Sequence, residues 1–165
     1  EKIPALIEKA ASQVTVQAKQ FAEQYADASQ VYVLGSGATA EVAYATSLCL
    51  FLEMQWINSA SVHSGEFFHG ALEITDKDVP FVLFMNEGKT RELDARAFTI
   101  QQRFDAKVTV IESIYYGLST VVDASVVDSF NPKLLTAVVR VHAEKLGELR
   151  GHPLSKRRYM WKLEY

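Results

Sequence analysis

The segment FLEMQWINSASVHSGEFFHG contains the two side chains best suited to proton transfer, Glu53 and His69. Glu53 lies in an apolar stretch, where burial of a charged carboxylate would be costly. We therefore expect that it either faces a polar cavity or has a raised pKa. A histidine can exchange a proton near neutral pH, and Gly65 and Gly70 around His69 permit close approach of a substrate. The two residues predict acid–base catalysis.

A glycine turn supplies a second group of candidate residues. Ser36, Gly37 and Thr39 lie between a predicted strand and a predicted helix, a position in which backbone amides and hydroxyls bind anions. The same pattern is equally typical of a turn with a helix cap. The other three histidines show no spacing that indicates a metal site.

The charge composition excludes a broad nucleic-acid-binding surface. The chain has 17 basic and 20 acidic side chains and a net charge of -3. One local basic cluster stands out, formed by Lys156, Arg157 and Arg158. It could bind a phosphate or a carboxylate, although such clusters are more often simply solvated.

Length and cysteine content predict a single soluble, cytoplasmic domain. A chain of 165 residues, 48% of them hydrophobic, is long enough for one full core. Its one cysteine, Cys49, cannot form an internal disulfide, which indicates a reducing compartment. No apolar run approaches the roughly 20 residues that a membrane span needs, and the first residues do not resemble a signal peptide.

Hydrophobic periodicity predicts strands that alternate with helices. The predicted strands are Val31 to Leu34, Trp56 to Val62, Val79 to Met85, Lys107 to Ile111 and, less clearly, Val121 to Val127. The predicted helices are Pro4 to Tyr25, Ala38 to Met54, Arg91 to Phe104, and one that begins at Asn131 with Pro132 in its first turn. This order predicts an α/β three-layer sandwich with a mostly parallel open sheet and helices on both faces.

Ligands of such sheets bind beyond the carboxyl ends of the strands. The turns GSGAT and NEGKT and the block SGEFFHGALEI, which is predicted to be a loop and a short helix, should lie there. The segment from His152 to Tyr165 does not have the pattern of a core helix.

Three motifs in order, LGSGAT, FLEMQW and HSGEFFHGALEITD, resemble the sugar isomerase (SIS) domain. The combination of EMQW, SGEFFHG and the terminal HPLSKRRYMWKLEY is similar to the second SIS domain of fructosamine-6-phosphate deglycases, closest to the 6-phosphofructose-aspartate type. The resemblance covers essentially the whole chain and implies a flavodoxin-like SIS fold.

The resemblance also implies roles. Glu53 matches the base that moves a proton between C1 and C2 of the sugar, and His69 matches the group that opens the sugar ring. The implied reaction converts a 6-phosphofructosyl amino acid to glucose 6-phosphate and a free amino acid, and it requires neither a metal nor a redox cofactor. The implied partners are the phosphorylated conjugate and a second subunit of a homodimer with shared active sites.

Such enzymes carry two SIS domains, so residues 1 to 165 are expected to be one half of a longer enzyme, inactive when isolated. Two alternatives remain. The chain could be a noncatalytic sugar-phosphate-binding or dimerisation module. It could also be the isomerase half of a glucosamine-6-phosphate synthase, although those enzymes carry a lysine three residues before the glutamate, where this chain has Leu50.

Overall fold

A computed structural model describes residues 2 to 164, so Glu1 and Tyr165, the ends of the predicted domain, lie outside the described residues. The α-helices are α1 (Lys2–Gln13), α2 (Thr15–Tyr25), α3 (Ala40–Ala45), α4 (Arg91–Arg103) and α5 (Val127–Leu149). The strands are β1 (Gln30–Gly35), β2 (Asn58–His63), β3 (Pro80–Met85) and β4 (Lys107–Glu112). A π-helix (Thr46–Gln55) continues α3, and short 3-10 turns include Gly37–Thr39, Phe67–His69 and Ala71–Ile74.

The strands form one sheet in the order β2-β1-β3-β4, and every neighbouring pair is parallel. All six residues of β3 are buried, because a central parallel strand is covered on both faces. From β1 the chain crosses to β2 on one side and then returns to β3 on the other. The carboxyl ends of β1 and β3 therefore form the switch point at which ligands of open sheets commonly bind.

Two separate cores cover the two faces of the sheet. Val31, Val33 and Phe84 pack against α2, α3, α5 and the π-helix. Leu34 and Phe81 face the opposite way and pack against α4 and the segment that follows β2. The alternating direction of side chains along each strand produces this division. The predicted three-layer arrangement is confirmed.

The predicted helix from Pro4 to Tyr25 is interrupted at Val14 and forms α1 and α2. Two hydroxyls near the break bond to main-chain carbonyls, Ser12 Oγ to Lys9 O at 2.7 Å and Thr15 Oγ1 to Ser12 O at 3.2 Å. Such side-chain bonds compete with regular helix geometry and bend helices.

The predicted strand from Val121 to Val127 is wrong. Asp123 Oδ1 accepts hydrogen bonds from the backbone N–H and the hydroxyl of Ser125, which stabilises a turn in place of extended chain. Helix α5 begins at Val127 and not at Asn131, so Pro132 lies inside the helix and not in its first turn. The side chain of Asn131 is buried and bonds to both the N–H and the carbonyl of Glu87.

Candidate active site

Glu53 lies near the end of the π-helix, at the side of the molecule where the strands begin. The π-helix terminates at Trp56, whose φ of 55° places it in the left-handed region, and the chain then enters β2. Phe51 is fully buried beneath the helix, whereas the Glu53 side chain remains 24% exposed. π-Helices are rare and occur frequently at functional sites, since their wider turn changes the direction of side chains.

A cavity of about 260 Å³ opens beside Glu53. One side comes from the π-helix and its end, and the other from the tail segment, by which we mean residues 152 to 164. The lining residues are Leu52, Glu53, Trp56, Arg157, Arg158, Tyr159 and Met160. The carboxylate thus borders a cavity whose walls are largely apolar but include the cations Arg157 and Arg158.

The tail segment brings Arg157 directly onto the carboxylate. Arg157 Nη2 lies 2.8 Å from Glu53 Oε1, and the two side chains are only 15% and 24% exposed. Lys156 and Arg158 have different surroundings: the Lys156 ammonium lies 5.2 Å and the Arg158 guanidinium 4.3 Å from the ring centre of Trp56. An aromatic face attracts a cation at such distances. The structure therefore brings Arg157 and Arg158 to the cavity that Glu53 lines, whereas Lys156 lies beside the ring of Trp56.

His69 lies elsewhere, on the segment that follows β2 and covers the opposite face of the sheet. Its side chain is 72% exposed, and Nδ1 donates to Glu66 Oε2 at 2.7 Å. This contact lowers the pKa of the Glu66 carboxyl, mainly through the hydrogen bond and also through the charge of the imidazolium. With Nδ1 occupied by Glu66, Nε2 is the ring nitrogen that can exchange a proton with a substrate.

Ser36 and Thr39 are fully buried at the carboxyl end of β1, and their hydroxyls form hydrogen bonds with other groups of the protein. Ser36 Oγ donates to Thr90 O at 3.1 Å, and Thr39 Oγ1 donates to Ser36 O at 2.9 Å. Gly37 is exposed, with φ +52°, and a side chain there would meet Thr90 Oγ1 at 2.5 Å. These contacts favour the turn-and-cap interpretation of Ser36 and Thr39 over anion binding.

A buried polar cluster lies beside this turn and was not predicted from the sequence. The side chain of Asn86 donates to Thr90 Oγ1 at 2.9 Å and to Asp94 Oδ2 at 2.8 Å. Asp94 is fully buried, and burial raises the pKa of its carboxyl group although nearby donors oppose the shift. The available sequence signal was an aspartate on the apolar face of α4, only four positions after the predicted NEGKT turn.

Within residues 2 to 164, no group of three or more histidine, cysteine, aspartate or glutamate side chains is arranged to bind a metal ion. No helix in that range combines the length and the apolar character needed to cross a membrane.

Comparison with known proteins found several relatives, although no protein-family model matches the chain. The chain is 44% identical over 165 residues to fructosamine deglycase FrlB of Bacillus subtilis (strain 168), an alignment that covers 100% of the chain and 50% of FrlB. It is 27% identical over 93 residues to fructoselysine 6-phosphate deglycase of Escherichia coli (strain K12), covering 56% of the chain and 27% of that relative.

The chain is also similar to a solved structure. A candidate phosphosugar isomerase from Salmonella typhimurium matches with a TM-score of 0.94 at 42% identity, covering 98% of this chain and 49% of that chain. The chain therefore spans about half the length of FrlB and of the Salmonella protein.

Proposed function

We propose, from the premise that this chain is an SIS domain related to fructosamine deglycases, that the complete polypeptide cleaves 6-phosphofructosyl amino acids. The products are glucose 6-phosphate and a free amino acid. One observation carries the proposal: Glu53 lines a cavity whose other walls carry an aromatic platform and cations. A carboxylate can act as base there, and an anionic substrate can bind to Arg158 in the cavity wall and to Lys156 beside the ring of Trp56.

The proposed reaction needs one group that can move a proton between the adjacent sugar carbons C1 and C2. The substrate has its amine at C1 and its carbonyl at C2. Glu53 removes a proton from C1, the C–H electron pair forms the C1–C2 double bond, and the C2 oxygen takes up a proton, which gives an enaminol. Glu53 then returns the proton to C2, the nitrogen lone pair forms a C1–N double bond, and the N–H proton is released to water, which balances the proton taken up by the C2 oxygen and gives an imine. Water adds to C1, and the C1–N bond breaks to release the amine.

His69 serves the earlier step in this scheme. Its free Nε2 exchanges a proton with the ring oxygen, so that the cyclic substrate opens and exposes the C2 carbonyl. The helix bearing Glu53 packs on one face of the sheet and the segment bearing His69 packs on the other. The sheet therefore lies between them in one domain. We propose that each active site combines Glu53 of one subunit or half with His69 of another, in a homodimer.

Complementation between inactive variants tests both parts of the proposal. Complete polypeptides carrying Glu53→Gln and His69→Asn are prepared separately, mixed under conditions that exchange subunits, and assayed for glucose 6-phosphate release. If two subunits share each site, recovery reaches about 25% of wild-type activity, because half of the dimers are mixed and each has one intact site. A matched mixture of each variant with itself controls for residual activity.

Absence of recovery, with subunit exchange demonstrated, would contradict the shared site between subunits while leaving the reaction intact. Absence of turnover by the wild-type polypeptide with any 6-phosphofructosyl amino acid would contradict the deglycase function. Retained binding of a sugar phosphate in that case would support the noncatalytic module.

A further inference from the structure

The three neighbouring cations of the tail segment differ in how they are held. Lys156 and Arg158 are exposed and lie over the ring of Trp56. The side chain of Arg157 is only 15% exposed. Its Nη1 donates to Leu154 O at 2.6 Å and to Lys156 O at 3.0 Å, both within the tail segment itself. Backbone carbonyls therefore orient the Arg157 guanidinium without any contribution from a substrate.

The second terminal nitrogen, Nη2, lies beside the Glu53 carboxylate. Nη2 lies 2.8 Å from Oε1, so a guanidinium held by backbone carbonyls contacts the proposed base. The same carboxylate lines the cavity, so Glu53 is restrained by Arg157 and still borders the space in which a substrate would bind.

We infer that Arg157 is a positioning residue for Glu53 and not a ligand of the substrate. This inference rests on the proposed function and differs from the sequence-based expectation that all three cations bind substrate. The glutamate side chain rotates about several bonds, and displacement of a catalytic group by about 1 Å can cost on the order of 10²-fold in rate. A fixed guanidinium removes that freedom.

The test compares four complete polypeptides: wild type, Arg157→Gln, Arg157→Lys and Arg140→Gln. Arg140 is a matched control because it forms an exposed ion pair with Glu144 at 2.9 Å, away from the cavity. Each protein is assayed with two substrates, a 6-phosphofructosyl amino acid and a 6-phosphofructosyl amine that has no carboxylate. The melting temperature of each variant is measured in parallel, so that loss of folding is recognised.

We expect Arg157→Gln to lower kcat by roughly 10-fold or more while KM changes less than about twofold, because the lost interaction serves the base and not substrate binding. The loss should be equal for both substrates. Arg157→Lys, which keeps the charge but loses the fork of donors, should retain an intermediate kcat. Arg140→Gln should match the wild type.

Three results would overturn the inference. They are a rise in KM at unchanged kcat, a loss confined to the carboxylate-bearing substrate, and activity of Arg157→Gln within about twofold of wild type. If Arg157→Gln does not fold, the same test is applied to Arg157→Lys: a lower kcat at unchanged KM supports the inference, and a higher KM at unchanged kcat overturns it. A wild-type polypeptide that releases no glucose 6-phosphate would overturn the proposed function, and this inference with it.

Discussion

The side-chain amide of Gln55 donates a 2.9 Å hydrogen bond to the carbonyl oxygen of His152. Gln55 is the last residue of the π-helix and is fully buried, and His152 opens the tail segment. The imidazole of His152 also packs edge-on against Trp56, with ring centres 4.5 Å apart. The tail segment is thus attached to the end of the helix that bears Glu53, and Arg157 follows this attachment in the same segment.

Replacement of Gln55 by leucine should therefore damage both stability and catalysis. The substitution introduces an apolar side chain of similar size and leaves the His152 carbonyl without its buried donor, at a cost of about 1–3 kcal/mol in the free energy of unfolding. Urea denaturation measures the loss, and kcat should fall because the tail segment loosens. The exposed Gln20→Leu serves as control. Unchanged stability would show that the tail segment does not depend on this bond.

Glu53→Gln should abolish turnover without unfolding the protein. Glutamine can still accept a hydrogen bond from Arg157, but it cannot carry a proton between C1 and C2, so the rate should fall at least ~10²-fold. Release of glucose 6-phosphate from a 6-phosphofructosyl amino acid is the measurement. Glu41→Gln, an exposed change on α3, is the control. Turnover within about threefold of wild type would exclude Glu53 as that base.

His69→Asn should impair a cyclic substrate more than one already in its open-chain form. Ring opening is needed only until the C2 carbonyl is exposed, and asparagine cannot exchange protons near neutral pH. Single-turnover rates of the complete polypeptide are compared for a ring-closed substrate and an analogue that cannot cyclise. Equal losses with both would assign His69 to a later step or to substrate positioning.

Buried His142 should make stability fall in mildly acidic solution. Its Nδ1 bonds to Val138 O at 2.9 Å, its ring meets the ring of Phe21, and burial lowers the pKa from the ordinary 6.5. The unfolded chain therefore binds a proton before the folded chain does, so stability present above pH 6.5 is lost as the pH falls toward the lowered pKa.

The apolar variant His142→Met isolates this contribution. Urea midpoints are measured at about pH 7 and about pH 5 for wild type and variant, and the wild type should lose more between them. An equal decrease in both proteins would show that other groups cause the acid sensitivity.

Asp94 should make stability fall as the pH rises, which is opposite to the effect expected for His142. Burial raises its pKa above the ordinary 3.8, so its favourable contribution is complete below 3.8 and is lost as the pH rises through the raised value. Asp94→Asn can still accept the hydrogen bond from Asn86 and carries no charge. We expect the variant to be more stable than wild type at neutral pH, with an advantage that shrinks as the solution is acidified. Urea midpoints across that range measure it, and a constant difference would contradict the assignment.

Local signals in the sequence determined most of the secondary structure. The runs that form β1, β3 and β4 and the periodicity of α4 are readable because each depends on the alternation of apolar residues within one short segment. The same holds for Glu53 and His69, which stand out by residue type and by their apolar or glycine-rich neighbours. Two predictions were wrong. The apolar residues near Asp123 suggested a strand, but its side chain stabilises a turn. Asn131 suggested the start of a helix, but it lies inside α5 and its side chain makes buried hydrogen bonds.

Only the tertiary structure decided which of these residues meet. Arg157 and Glu53 are far apart in sequence, and they meet because the tail segment packs against the end of the π-helix, where Gln55 bonds to His152. The alternation of faces along the sheet separates Glu53 from His69, although only one strand lies between them in sequence. Such pairings depend on contacts between distant segments, and no local pattern of apolar or polar residues encodes the partner of a given side chain.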